Sequence, residues 1–136
     1  MKNSVKLKND LSTLKEKADN NPNFDESFDI ETLTATIDGV GAVLDIDVEI
    51  YQLSNDTDNT KGFQLPAKAT VSVGKEWKII ADSTNNSVLF IDDANDTINS
   101  DTKDIQINAG NAYTIICMTT GSYVVIEESL ATGVSI

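Results

Sequence analysis

The chain has 136 residues and a formal charge of −12 from 22 acidic residues against 10 lysines, with one cysteine and neither histidine nor arginine. Those absences exclude a Ser-His-Asp or Cys-His nucleophile, a histidine-ligated zinc site and an arginine clamp for phosphate or carboxylate. The acidic balance argues against nucleic acid and anionic membrane as partners; a chain of this length buries about two thirds of its surface without help from disulfide or metal.

The first segment differs from the rest. Residues 1–18 hold Lys2, Lys6, Lys8, Lys15 and Lys17 against Asp10 and Glu16, a local charge of +3, and the remaining residues carry −15. Such polarity suits a segment that meets an acidic surface or an acidic neighbouring copy. Leu7, Leu11, Leu14 and Ala18 recur at steps of four, three and four, which predicts an amphipathic helix with Ser4 as N-cap and Asn20-Asn21-Pro22 as its stop. About 14 residues make a rod of roughly 21 Å, too short to hold alone in water. The leucine seam therefore needs a cover, either the body of the same chain or further copies. The expected attachment surface is Leu7, Leu11, Leu14 and Ala18 with Lys6, Lys8 and Lys15 beside them. No apolar stretch follows Met1-Lys2-Asn3-Ser4, so no secretory signal is expected, and no run is long enough to insert in a membrane.

From Phe24 the period becomes two. Leu33, Ala35 and Ile37 alternate, Asp38-Gly39 follows, and Val40, Ala42, Leu44, Ile46, Val48 and Ile50 alternate again. An Asp-Gly pair between such runs predicts a hairpin pairing Ile37 with Val40, Ala35 with Ala42 and Leu33 with Leu44. Asp45, Asp47 and Glu49 would line the opposite face, solvated, because a flat strand lacks the carbonyl loop that calcium needs. Residues 54–62 form a polar loop. Asp56 and Asp58 resemble the start of a calcium loop, but Lys61 stands where its glycine belongs, and Asp92-Asp93-Ala94-Asn95-Asp96 fails the same way. No metal or other cofactor is expected.

Five further strands are predicted at 76–81, 87–91, 104–107, 112–118 and 122–126, with turns at Asn85-Asn86, Asn108–Asn111 and Thr120-Gly121. Gly74 suits a tight turn before the first of them, and Gly110 one between Ile107 and Tyr113. Trp77 and Ile79 supply a large core face, Pro66 suits a strand start or edge, and Cys117 reads as a small buried hydrophobe in a reducing compartment. Sequons at Asn55, Asn85 and Asn95 are expected to stay unmodified. The fold class is all-β, an antiparallel sandwich or small barrel preceded by a short amphipathic helix. The division is 1–22 as anchor and 23–136 as body, with a further break near 54–62 into a 23–55 hairpin section and a 63–136 β-domain.

The stretch from Phe63-Gln64-Leu65-Pro66-Ala67 through Val73–Ile80, Asp96–Asn99, Ile105–Gly110 and Tyr113–Cys117 to Gly121–Ile126 resembles the compact β-domain of tailed-bacteriophage fibres, on tails and on capsid heads. The resemblance covers about residues 63–128 and rests on turn and core residues. It implies an all-β, usually trimeric domain held to the virion by an N-terminal segment. The expected function is thus structural: a homotrimeric head fibre or capsid-decoration protein, made in the bacterial cytoplasm and carried on the virion, bound to a capsid or other virion protein. The alternative is a tail-fibre module that grips a host surface glycan through Trp77, Tyr113 and Tyr123 or through carboxylates such as Asp92, Asp93 and Asp96. Catalysis is not expected; the remaining chemistry would be a carboxylate pair in a cleft.

Overall fold

The computed structural model describes residues 29–56, 58–91 and 95–133. They form nine strands: β1 (Ile30–Thr34), β2 (Ile50–Ser54), β3 (Gly62–Gln64), β4 (Glu76–Ile80), β5 (Ser87–Phe90), β6 (Thr97–Ile98), β7 (Ile105–Ile107), β8 (Asn111–Thr119) and β9 (Ser122–Ser129). The larger sheet has the order β1-β2-β4-β8-β9-β6 and the smaller one β3-β5-β7. Two single 3₁₀ turns, Ile37–Gly39 and Lys68–Thr70, are the helical elements among the described residues. The class is all-β.

The sheets are mixed, which corrects the antiparallel expectation. β1 pairs with β2, β2 with β4, β3 with β5 and β6 with β9 in parallel; β4–β8, β8–β9 and β5–β7 are antiparallel. The cause is an alternation of the chain between the sheets. From β2 it crosses to β3, returns to β4 beside β2, and crosses again to β5 beside β3. Parallel neighbours need a crossover of a dozen or more residues, usually a helix. Here the β2–β4 and β3–β5 crossovers are each a strand of the other sheet, and the β6–β9 connection runs through β7 of the smaller sheet and then β8. Even the β1–β2 connection follows the pattern, because Val43 bridges Gln64 of β3 in parallel. Only the final β8–β9 hairpin, turned at Gly121 (φ 74°), is local.

Alternation along each strand fills one core shared by the two sheets. Tyr51 and Leu53 of β2, Phe63 of β3, Trp77 and Ile79 of β4, Leu89 of β5, Ile107 of β7, Tyr113, Ile115 and Cys117 of β8, and Tyr123 and Val125 of β9 are all buried in it. Trp77 is fully enclosed, and its Nε1–H donates to the Asp45 carbonyl at 2.9 Å. Gly74 (φ 91°) turns the chain into β4, with its N–H on the Cys117 carbonyl.

The Asp38-Gly39 turn forms, but the hairpin around it does not. Asp38 (φ 54°) and Gly39 (φ 70°) both take the positive φ that such a turn requires, and Val40 N–H reaches the Ile37 carbonyl at 3.1 Å. A second turn follows at once. Val40 (φ −62°, ψ 121°) and Gly41 (φ 80°) have type II geometry, closed by Ala42 N–H on the Gly39 carbonyl at 3.0 Å. Two successive reversals carry the flanks apart and onto β3. Thr36 and Gly62 exchange both backbone bonds, Ala42 accepts from Gln64, and Leu44 donates back to Gln64. Ala35, Ala42 and Leu44 are buried and Leu33 packs against the core, whereas Ile37 and Val40 stand exposed at the tip.

Residues 45–49 are likewise a turn and not a strand. Val48 N–H bonds the Asp45 carbonyl, and Asp45 Oδ1 accepts Asp47 N–H at 2.8 Å. The Tyr51 hydroxyl accepts Asp45 N–H at 2.7 Å, and Lys75 Nζ donates to the Val48 carbonyl at 2.9 Å. Side chain–backbone bonds of this kind compete with a ladder, so Asp45, Asp47 and Glu49 line no strand face.

Candidate functional site

Leu7, Leu11, Leu14, Ala18, Lys6, Lys8 and Lys15 lie outside the described residues, as do Asp92 and Asp93. Trp77, Tyr113 and Tyr123 are all core residues, so they offer no exposed stacking platform. Asp96 is enclosed, 3.9 Å from Lys68 Nζ, with Gly121 packed over it so closely that a Cβ there would stand 2.8 Å from Oδ1. It is not displayed at a loop tip. Asp58 holds its carboxylate on the N–H and hydroxyl of Thr60, bonds that pull its pKa below the usual range. Among the described residues no three carboxylate or thiol groups converge as a metal site would.

Two polar clusters tie the loops at one end of the sheets. In the first, Asn55 is buried and its Nδ2 donates to the Asp58 carbonyl (2.7 Å), the Asn86 carbonyl (2.9 Å) and Ser87 Oγ (3.1 Å). Asp82 accepts the N–H groups of Asn55, Thr84 and Asn85, and these bonds, that from Asn55 first, hold its pKa down. Asn85 Nδ2 returns to the Asn55 carbonyl at 2.7 Å, and Asn86 Oδ1 accepts Ala109 N–H. Two of the three sequon asparagines are therefore consumed as structural amides. Replacing Asn55 with Ala removes the donor shared by three acceptors, of which Ser87 Oγ is buried; a loss of about 2 kcal/mol is expected in urea unfolding.

The second cluster centres on Tyr113. Its hydroxyl accepts Asn108 N–H at 2.7 Å and donates to Glu127 Oε2, while Glu127 also accepts the amides of Asn108 and Asn111. Burial, then the bond to Glu127, pushes the Tyr113 pKa up to about 12, and the tyrosine bond in turn holds Glu127 below its ordinary value. A phenol whose folded pKa is raised contributes stability below its unfolded value near 10.0, and that contribution is lost as pH rises towards about 12. Urea midpoints are expected to fall between pH 10 and 12 in the native sequence, and to fall less steeply in Tyr113→Phe.

The outward face of the larger sheet has a different character. Register places Ile30, Ile50, Lys78, Thr114 and Ile126 in one row across five strands, with Ile116 and Val124 on one side of it and Ile80 on the other. Ile30 is 65% and Ile126 44% exposed, and Ile50, Ile80, Ile116 and Val124 are half-buried with no layer over them among the described residues. Glu49, Glu76 and Glu128 border this band, and Glu49, Ile50, Glu76 and Lys78 line a shallow hollow of about 80 Å³. The chain enters the face directly, because Ile30 opens edge strand β1. Alternation along β4, β8 and β9 made these outward positions readable in the sequence; the neighbourhood of Ile30 and Ile50 was not, since it depends on parallel pairing.

An open groove of about 300 Å³ lies elsewhere, lined by Ile98, Asn99, Asp101, Lys103, Asp104 and Ile105. Asn99 (φ 52°) and Ser100 (φ 68°) form its tight turn, and the Asn99 amide pairs with both backbone groups of Val125. Comparison with known protein families, curated proteins and solved structures returns no match for this chain.

Proposed function

We propose that this chain is a structural component of a bacteriophage virion, a head fibre or capsid-decoration protein that works as a homotrimer and without catalysis. Its two sheets act as the layers of a sandwich-like head, and its lysine-rich leading segment anchors that head to an acidic capsid surface or bundles the trimer. The observation that carries the reading is the exposed isoleucine band with its glutamate border, which begins at the strand where the leading segment joins the body. A β-head with an unpaired apolar face and a basic, leucine-seamed extension suits assembly better than turnover of a substrate. Deleting residues 1–20 is expected to abolish incorporation, read by quantitative mass spectrometry of purified particles. Unchanged incorporation overturns the reading.

The glycan-binding alternative draws support from the groove at Ile98–Ile105, whose Asn99, Asp101, Lys103 and Asp104 offer donors and acceptors to a hydroxylated ligand. Its volume is at the lower end for small-ligand sites. A glycan array with the full chain tests it: binding lost in Asp101→Ala supports a tail-fibre role, and a blank array removes it.

A further inference from the structure

We infer that the outward face of the larger sheet is the seat for residues 1–18 of a second copy of this chain, so that copies are held together by exchanged leading segments. The inference rests on the proposed oligomeric reading and names the surface that the leading segment of each copy meets.

Shape and chemistry match on both sides. On the helix that the sequence spacing predicts, Lys8 and Lys15 would fall on one flank of the Leu7-Leu11-Leu14-Ala18 seam and Lys6 and Lys17 on the other. A leucine stripe with cations on both flanks fits an apolar band bordered by carboxylates, and the band here runs from Ile30 to Ile126 with Glu49, Glu76 and Glu128 around it. From β1 to β9 the band crosses four strand spacings, about 19 Å, against roughly 21 Å for the rod. Lys78 lies within the band with Nζ 3.4 Å from Thr114 Oγ1, and its stem adds apolar surface.

Area and charge select the occupant. Five strands by about five residues give a flat area of roughly 400 Å², short of the ~800 Å² per partner of a standard interface. Two bodies meeting flat would be too weakly held, and each carries most of the chain's negative charge. Reciprocal exchange changes both quantities. Each copy then buries its rod as well as its face, and a segment of charge +3 lies between acidic bodies. The ten residues 19–28 span up to about 35 Å when extended, enough to clear a face about 19 Å wide and reach a neighbour.

The test uses full-length chains. Leu11→Cys and Thr114→Cys proteins, each also carrying Cys117→Ser, are mixed and oxidised, and the products are mapped by mass spectrometry. A disulfide joining residue 11 of one copy to residue 114 of another is expected. In native mass spectrometry the parent chain is expected to be oligomeric, and Ile126→Glu is expected to weaken association at least tenfold with an unchanged far-UV spectrum. A monomeric parent overturns the inference, as does an oligomer indifferent to Ile126→Glu. A single chain carrying Leu11→Cys, Thr114→Cys and Cys117→Ser together is oxidised in parallel, and a disulfide formed only within that chain also overturns the inference, since the segment would then cover its own face. Virion incorporation that depends on residues 1–20 without the intermolecular link would leave the attachment reading standing and remove this one.

Discussion

Gly62→Ala is expected to leave the chain unfolded. A Cβ on Gly62 would stand 1.7 Å from the Val88 carbonyl oxygen, 2.6 Å from its carbon and 2.8 Å from the Val88 nitrogen. All three are backbone atoms, so no rotamer change relieves the overlap and β3 has to leave β5. That separation also strains the paired bonds between Gly62 and Thr36, both 2.9 Å, which fasten the β1–β2 connection to the smaller sheet. Overpacking that side chains can absorb costs about 1–3 kcal/mol. A backbone clash at a three-way junction exceeds that, and more than about 4 kcal/mol is expected, comparable with the whole stability of a small domain. Gly133→Ala, with open space around its Cβ, is the matched control and stays within about 0.5 kcal/mol. Far-UV circular dichroism and urea unfolding of both variants decide the matter; a Gly62→Ala protein within 1 kcal/mol of the parent would refute the close approach of β3 and β5.

Trp77→Ala carries the second largest expected effect. Trp77 is the largest fully buried side chain, it lies on central strand β4, and its indole N–H holds the Asp45 turn from beneath. Truncation of a buried tryptophan costs about 3–5 kcal/mol. Here the void lies where β2, β4 and β8 meet, with regular pairing on both sides of β4 that limits collapse. Lys75, whose Nζ sits 5.5 Å from the ring centroid, also loses its platform. Trp77→Phe keeps much of the volume but not the donor, and an intermediate loss of about 2 kcal/mol is expected. Because this tryptophan is the only one in the chain, the urea midpoints should be read by circular dichroism and not by fluorescence.

These two residues show what the chain made legible and what it hid. Trp77 was readable as core because alternation with Ile79 and the later runs around Tyr113 and Tyr123 mark inward faces, and β4, β5, β7, β8 and β9 stand within a residue or two of expectation except at the C-terminal end of β9. Gly62 was not readable as a contact. Its role depends on a strand of three residues and on parallel pairing with a segment 26 positions away. β6, with two residues, is shorter still. The Asp38-Gly39 turn was recognised, but Gly41 adds a second reversal that redirects the flanks, and the Leu44-Ile46-Val48-Ile50 alternation is imitated by a turn that Tyr51, Lys75 and Trp77 hold from a distance. Parallel order leaves little local signal, because it is fixed by crossovers and not by turns. On the functional side, the basic leading segment was conspicuous in the sequence, whereas the face proposed to receive it exists only once β1, β2, β4, β8 and β9 are side by side.

The alternation of strands between layers bears on how the protein is made. β4 gains its second neighbour only when β8 has been synthesised, and β6 pairs only with β9. A nascent chain therefore offers incomplete sheets until β8 and β9 have cleared the exit tunnel, and folding of this body becomes a concerted event of high contact order.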